Sequence, residues 1–349
     1  MSPIGWALLV LGAVLASTVT HAATGDDLAS FYRNRSIDFL IGAAAGGAYD
    51  LPGRVLAHHL GGHLPGNPTV TVKNMPGGNG LLMTNHLYNV APQDGTVIGM
   101  PNNAIPLEPL LKVLSPNGDN VRFDVTKLQW IGSPAHEIYA SIVWHTAPVR
   151  TVDDLRKVEI LTAGTQSLGE AVALPTLMNA LAGTRMKVVK GYPGQNEIFL
   201  AMERGEVEAN TTGVMNLTSS RAEWVRDGKI RIMIQYTANR DSPLKDVPFA
   251  LDLVKTDEDR AVLTFLFSKY QMARGIFAGP KVEADRVTAL RTAFDATMDD
   301  PAFRDEATKV GIEISPMSSK AVTDLVASLY RTPPAIVARA RSTLLLAQR

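Results

Sequence analysis

The chain contains no cysteine. That excludes disulfides, thiolate metal sites and a cysteine nucleophile, and it leaves nothing for a lipid anchor to be built on. It is compatible with an oxidising compartment. Net charge is lacking too, since 34 basic residues balance 34 acidic ones. A nucleic-acid binder usually carries a basic excess, so that class finds no support. Beyond the N-terminus no stretch is apolar for long enough to suggest a membrane helix. There is no Gly-x-Gly-x-x-Gly, no phosphate loop with its Lys and Ser/Thr, and no His-Glu-x-x-His. Solenoid-length repeats and low-complexity segments are missing as well.

What remains is 349 residues, 46% of them hydrophobic, enough for two domains or one large one. Residues 1–22 carry no charged side chain, Ile4 to Val19 is mostly apolar, and Thr20-His21-Ala22-Ala23 supplies small residues. The segment reads as an export signal cleaved near Ala22 or Ala23, with an uncleaved anchor as the alternative. It is short for a stable span. The mature chain is then expected in the periplasm.

The stretch from Phe39 to Arg54 organises the rest. A short apolar run suited to a buried strand passes through Gly42-Ala43-Ala44-Ala45-Gly46-Gly47-Ala48 and reaches Tyr49, Asp50 and Pro52 at the start of a helix. Leu51, Val55, Leu56 and Leu60 fall near helical spacing. Small residues leave backbone N–H groups uncovered, and with the positive end of the helix these can seat an anion. The plainer reading is a tight strand-to-helix connection with Asp50 as N-cap. Strand and helix go on alternating, which argues for mostly parallel sheets covered by helices. Ligands in such sheets bind beyond the carboxyl ends of the strands. Ala43–Tyr49, Asn74–Gly80 and Pro101–Ala104 occupy that position.

A second strand, small-residue loop and helix runs through Ile160–Ala163 and Gly164-Thr165-Gln166-Ser167-Leu168-Gly169. A nucleophile elbow needs Gly-x-Ser-x-Gly, and Thr165 stands where its first Gly belongs. Hydroxyls and N–H groups aimed at an oxyanion fit this loop better than an activated serine. Pro175 implies a kink or a later helix start. His58, His59 and His63 are close in sequence, but Gly61-Gly62 is expected to break the helix between them. They read as surface or packing residues, and no metal or cofactor is expected. Trp130, Trp144 and Trp224 read as core, and Tyr192, in a Gly-Pro-Gly turn after a strand, as a candidate for the cleft.

The order Gly46-Gly47…Asp50, then Asn74-Met75-Pro76-Gly77-Gly78-Asn79-Gly80, then Pro92-Gln93-Asp94-Gly95-Thr96 resembles the substrate-binding proteins of tripartite tricarboxylate transporters, the Bug family. Further matches extend beyond residue 300. Tyr49 departs from the pattern, where a small hydroxyl residue is common. The resemblance implies an α/β type II periplasmic binding fold with a ligand cleft between two domains. Residues 23–140 and 272–349 would form the first domain, with Ala273–Ala278 as its return strand, and 141–271 the second. It implies a non-enzymatic receptor, monomeric, that closes on a small carboxylate and is read by membrane transporter subunits. A sensory receptor without transport and a secreted serine hydrolase using Ser167 are the alternatives. The candidate ligand-binding residues are Ala45, Gly46, Gly47, Tyr49, Asp50, Asn103, Ala104, Thr165, Ser167, Gly169, Tyr192 and Thr212. Neutral donors and helix ends, rather than an arginine clamp, are expected to hold the ligand.

Overall fold

The computed structural model describes residues 25–46, 48–115, 119–165 and 169–348. The expected export signal, Gly47 and Ser167 lie outside them. Two sheets form the frame. The first takes β1 (Ser36–Ile41), β2 (Thr69–Asn74), β3 (Val97–Met100), β4 (Gln129–Ser133), a late strand Ile276–Ala278 and a short one, Met317–Ser318. The second takes β5 (Tyr139–Trp144), β6 (Ile160–Ala163), β7 (Met186–Val189), β8 (Ala209–Gly213) and β9 (Ile230–Tyr236). The late strands become β10 (Ile276–Ala278) and β11 (Met317–Ser318).

β1 lies between β2 and β3 and runs parallel to both, with Phe39 opposite Val72 and Ile98. β10 enters antiparallel between β3 and β4, and β11 closes the sheet beyond β4. In the second sheet β6, β7 and β8 are parallel, while β5 runs antiparallel between β8 and β9. The inner parallel strands β1, β3, β6 and β8 are largely buried, as parallel strands covered by helices require, while the edge strands β2 and β7 stay partly exposed. Ile37, Phe39 and Ile41 pack under the helices Asp50–Leu60 and Ala284–Asp299. Leu40 joins the other face with Leu81, Met83 and Leu87 of the helix Leu81–Asn89. The second sheet repeats the arrangement with Leu174, Val262 and Leu266 on one side and Ile198, Phe199 and Trp224 on the other.

The helix Asp50–Leu60 is not broken at the glycine pair. Gly61–His63 continues it as a 3-10 turn, with Gly61 in right-handed helical geometry. Gly61 can stay there because a Cβ would run into the Pro68 carbonyl at 2.2 Å, so a glycine serves close approach rather than chain stop. Pro175 lies inside one helix, Glu170–Ala182. The last helix, Pro334–Leu345, does not stay with the first sheet. It buries Ala340 against the helix Asp257–Phe267 and lies beside Glu170–Ala182, with Arg339 paired to Asp259. No helix among the described residues is long and apolar enough to cross a membrane.

Candidate functional site

The three loops foreseen at the carboxyl ends of β1, β2 and β3 converge backbone to backbone. A Cβ on Gly42 would meet Gly80 Cα at 2.9 Å and Pro101 Cα at 3.2 Å, one residue from each loop. Gly46 takes φ +76°, a left-handed turn that favours glycine, and so bends the first loop back over its helix.

Asp50 is the anchor of that loop, in a role other than the one its position suggested. Tyr49 holds the N-cap position in helical geometry and makes no side-chain cap bond. The Asp50 carboxylate, only 5% exposed, turns away from the first turn. Its Oδ2 accepts from Gly46 N–H and Arg54 Nε, both at 2.9 Å, and its Oδ1 from Asn74 Nδ2 at 2.8 Å. Asn74 also donates to the Ala43 carbonyl at 3.1 Å and accepts from Arg54 Nη2 at 3.1 Å. The Arg54 guanidinium, with the N–H of Gly46 and the Asn74 amide, holds the Asp50 carboxyl at about 2. Asp50 therefore ties the first two loops together. The carboxylate spends the Gly46 N–H internally, which leaves the first-turn N–H groups of the helix for a ligand.

Tyr49 and Asn103 meet: the Tyr49 hydroxyl accepts the Asn103 N–H at 3.1 Å. Ala104 N–H is taken by Asn102 Oδ1 at 3.0 Å. The Asn103 side chain is buried and points on to Glu137 Oε2 at 3.5 Å, which also accepts from Tyr139 at 3.3 Å. Opposite lies Arg274, whose Nη2 is 3.6 Å from Glu137 Oε1 and whose guanidinium sits 5.9 Å from the Tyr49 ring centre. Arg274 is 5% exposed, and its Nε and Nη1 have no hydrogen-bond partner. A buried guanidinium with two idle donors is costly unless something occupies them.

From the second sheet's side Glu170, at the start of its helix, accepts from Lys269 at 2.7 Å and Tyr270 at 2.5 Å. Burial raises Glu137 above the usual carboxylate range, against the pull of Arg274. Burial likewise raises the Tyr49, Tyr139 and Tyr270 hydroxyls, so all three stay neutral. This polar cluster lies where the chain passes between the two sheets, at 134–138 and again at 268–275. Glu137 N–H to the Tyr270 carbonyl, at 2.8 Å, links the two passages.

The remaining candidates are more dispersed. Thr165 and Gly169 flank the second loop, half-buried, with Gly169 as N-cap of Glu170–Ala182. Ala45 and Gly46 are exposed. Thr212 is buried on β8 and accepts from Asn216 at 3.2 Å. Tyr192 packs against the cluster of Ile198, Phe199 and Trp224. Sequence reasoning missed Glu137, Glu170, Lys269 and Arg274. It also missed Asn210, buried on β8 opposite Ala163 with neither side-chain polar atom partnered.

Comparison with known proteins bears on the whole chain. Residues 53–340 match the sequence profile described as Tripartite tricarboxylate transporter family receptor. A Cupriavidus necator protein, named as a UPF0065 protein in the gbd 5' region, is 25% identical over 333 residues, 94% of each chain. Among solved structures, a TctC solute binding protein from Polaromonas is 16% identical, with TM-score 0.67 over 88% of this chain and 99% of its own. An R. palustris protein solved with adipate is 18% identical, with TM-score 0.60 over 88% of this chain and 98% of its own. The fold is that of these periplasmic solute-binding proteins.

Proposed function

The chain belongs to the tripartite tricarboxylate transporter receptor family, and we propose that it is an exported, monomeric receptor that holds a small di- or tricarboxylate between its two units. On this reading residues 23–140 with 272–349 supply the first unit and 141–271 most of the second, the helix Pro334–Leu345 crossing over to pack on the second, and cleavage near Ala22 or Ala23 releases the chain into the periplasm. Membrane subunits of the transporter read the closed form and take the solute in a transient contact. No nucleic acid is involved.

One observation carries this reading: the buried Arg274, with two idle donors and its guanidinium 5.9 Å from the Tyr49 ring centre. One carboxylate of the solute sits at the start of the helix Asp50–Leu60, and a second reaches Arg274, which thereby exchanges Glu137 for the ligand. The adipate in the R. palustris relative is a dicarboxylate and supports that class. Donors to a charged acceptor are worth about 1.5–3 kcal/mol each. Calorimetric titration of the mature protein with adipate, citrate and their methyl esters is the test. At least one free acid binds, and esterification of one carboxyl weakens it by roughly ten- to a hundred-fold. Equal affinity for acid and ester overturns the reading.

A further inference from the structure

A second cluster lies at the other end of the helix Asp50–Leu60, about 12 Å from its start. Because the helix continues through Gly61–His63, His58, His59 and His63 all face the helix Pro301–Lys309 and its cap Asp300. His58 Nδ1 and His59 Nε2 approach the same oxygen, Glu306 Oε2, at 2.8 and 2.7 Å. The three ligand atoms all lie within 4.8 Å of one another. His59 is wedged edge-on against Phe303, with ring centres 5.7 Å apart. Its other nitrogen, Nδ1, faces Asp300 Oδ2 at 3.8 Å, an ion-pair rather than a hydrogen-bond distance. Asp300 is itself held by His63 Nε2 at 3.1 Å and Ala302 N–H at 2.8 Å.

We propose that His58, His59 and Glu306 form a site for a divalent transition metal of the zinc type, with Asp300 orienting His59 and water completing the coordination. The donor set chooses the ion. Two imidazoles and one carboxylate suit zinc and its neighbours, whereas calcium and magnesium want oxygen ligands throughout. Asp300, 3.8 Å behind His59 Nδ1, needs only a small approach to give the carboxylate contact that metal-bound histidines use to keep Nδ1 protonated and Nε2 free. Each imidazole nitrogen must draw back from the Glu306 oxygen, now 2.7–2.8 Å away, to about 3.4 Å to admit an ion at roughly 2.0–2.2 Å from each. His58, with its side chain 70% exposed, is free to make that move. The bound ion would staple together helices separated by nearly 250 residues of chain, so it stabilises the folded form.

The test uses tag-free, chelator-treated mature protein, titrated calorimetrically with Zn²⁺ and followed by thermal unfolding with Zn²⁺, Mg²⁺ or Ca²⁺. One Zn²⁺ binds per chain, and the melting temperature rises with Zn²⁺ alone. His58→Ala and Glu306→Gln each weaken Zn²⁺ at least tenfold, while His145→Ala, an imidazole outside the cluster, changes nothing. His58 is exposed enough that its removal spares the fold. The proposal is overturned if no single-site Zn²⁺ binding is seen. It is overturned equally if binding survives both substitutions, which would leave the cluster a set of imidazole–carboxylate hydrogen bonds.

Discussion

Asp50 was legible as a residue of consequence and misread as to its task. Its place before Pro52 suggests a cap, and a cap tolerates Asn. The partners that decide otherwise, Asn74 and Arg54, are invisible as such in a linear reading. All three groups bonded to Asp50 are donors. In Asp50→Asn one acceptor becomes an amide N–H₂ that must face either Gly46 and Arg54 or Asn74, donor against donor. That costs about 1–3 kcal/mol, and urea unfolding near neutral pH will read it as a lower midpoint with an unchanged slope. The pH sign follows from the depressed carboxyl. A carboxyl lowered on folding to about 2 stabilises above its unfolded range and loses that contribution as pH falls through it toward 2. The gap between Asp50 and Asp50→Asn therefore narrows on acidification. An Asp50→Asn midpoint equal to that of the parent near neutral pH would restore the cap.

At the scale of elements the alternation of strand and helix was open to reading because apolar periodicity reports burial, and burial is what the sheets impose. β1 and β6 stand close to where the apolar run from Phe39 and the stretch Ile160–Ala163 suggest. The helix Asp257–Phe267 was hidden by its charged first turn. Yet Thr256 accepts from Asp259 N–H at 3.0 Å, and the Asp259 carboxylate receives the Thr256 hydroxyl, so the start was signalled by Thr-x-x-Asp before Val262, Leu263 and Leu266. Packing between elements was not legible. Gly132 on β4 looks like a strand interruption, but a Cβ there would meet the Phe294 ring at 2.3, 2.6 and 2.8 Å. It is the gap that lets Ala284–Asp299 lie flat on the sheet. A ring held at 1% exposure has nowhere to retreat. Gly132→Ala should cost about 1–3 kcal/mol by overpacking, seen as a melting temperature several degrees lower. A melting temperature at or above the parent's would show the ring to be mobile.

At the scale of the molecule the loops beyond β1, β2 and β3 could be foreseen, and the charged cluster around Arg274 and Glu137 could not. Arg274 sits in a run that reads as strand, and its neighbours Tyr49 and Glu137 lie more than 130 residues away in the chain. Only the double passage between the sheets brings them together. On the proposed reading, in which a ligand carboxylate takes Arg274, that placement ties solute binding to protons. Around Glu137 stand Arg274 and Lys269, which favour its anion, and Glu170 and burial, which oppose it. A ligand carboxylate that takes Arg274 removes the chief counter-charge and adds a like charge nearby. Glu137 is then raised further in the complex than in the free protein, so the complex binds more protons over the window between the two. Affinity for the dicarboxylate should accordingly fall as pH rises through Glu137's elevated range, with net uptake of up to about one proton on binding. Calorimetry in buffers of different ionisation enthalpy measures that uptake directly. Glu137→Gln, which keeps an acceptor for Tyr139 but cannot titrate, should bring it to zero and flatten the pH profile. Uptake that persists in Glu137→Gln would place the titrating group elsewhere and remove Arg274 from the ligand's path.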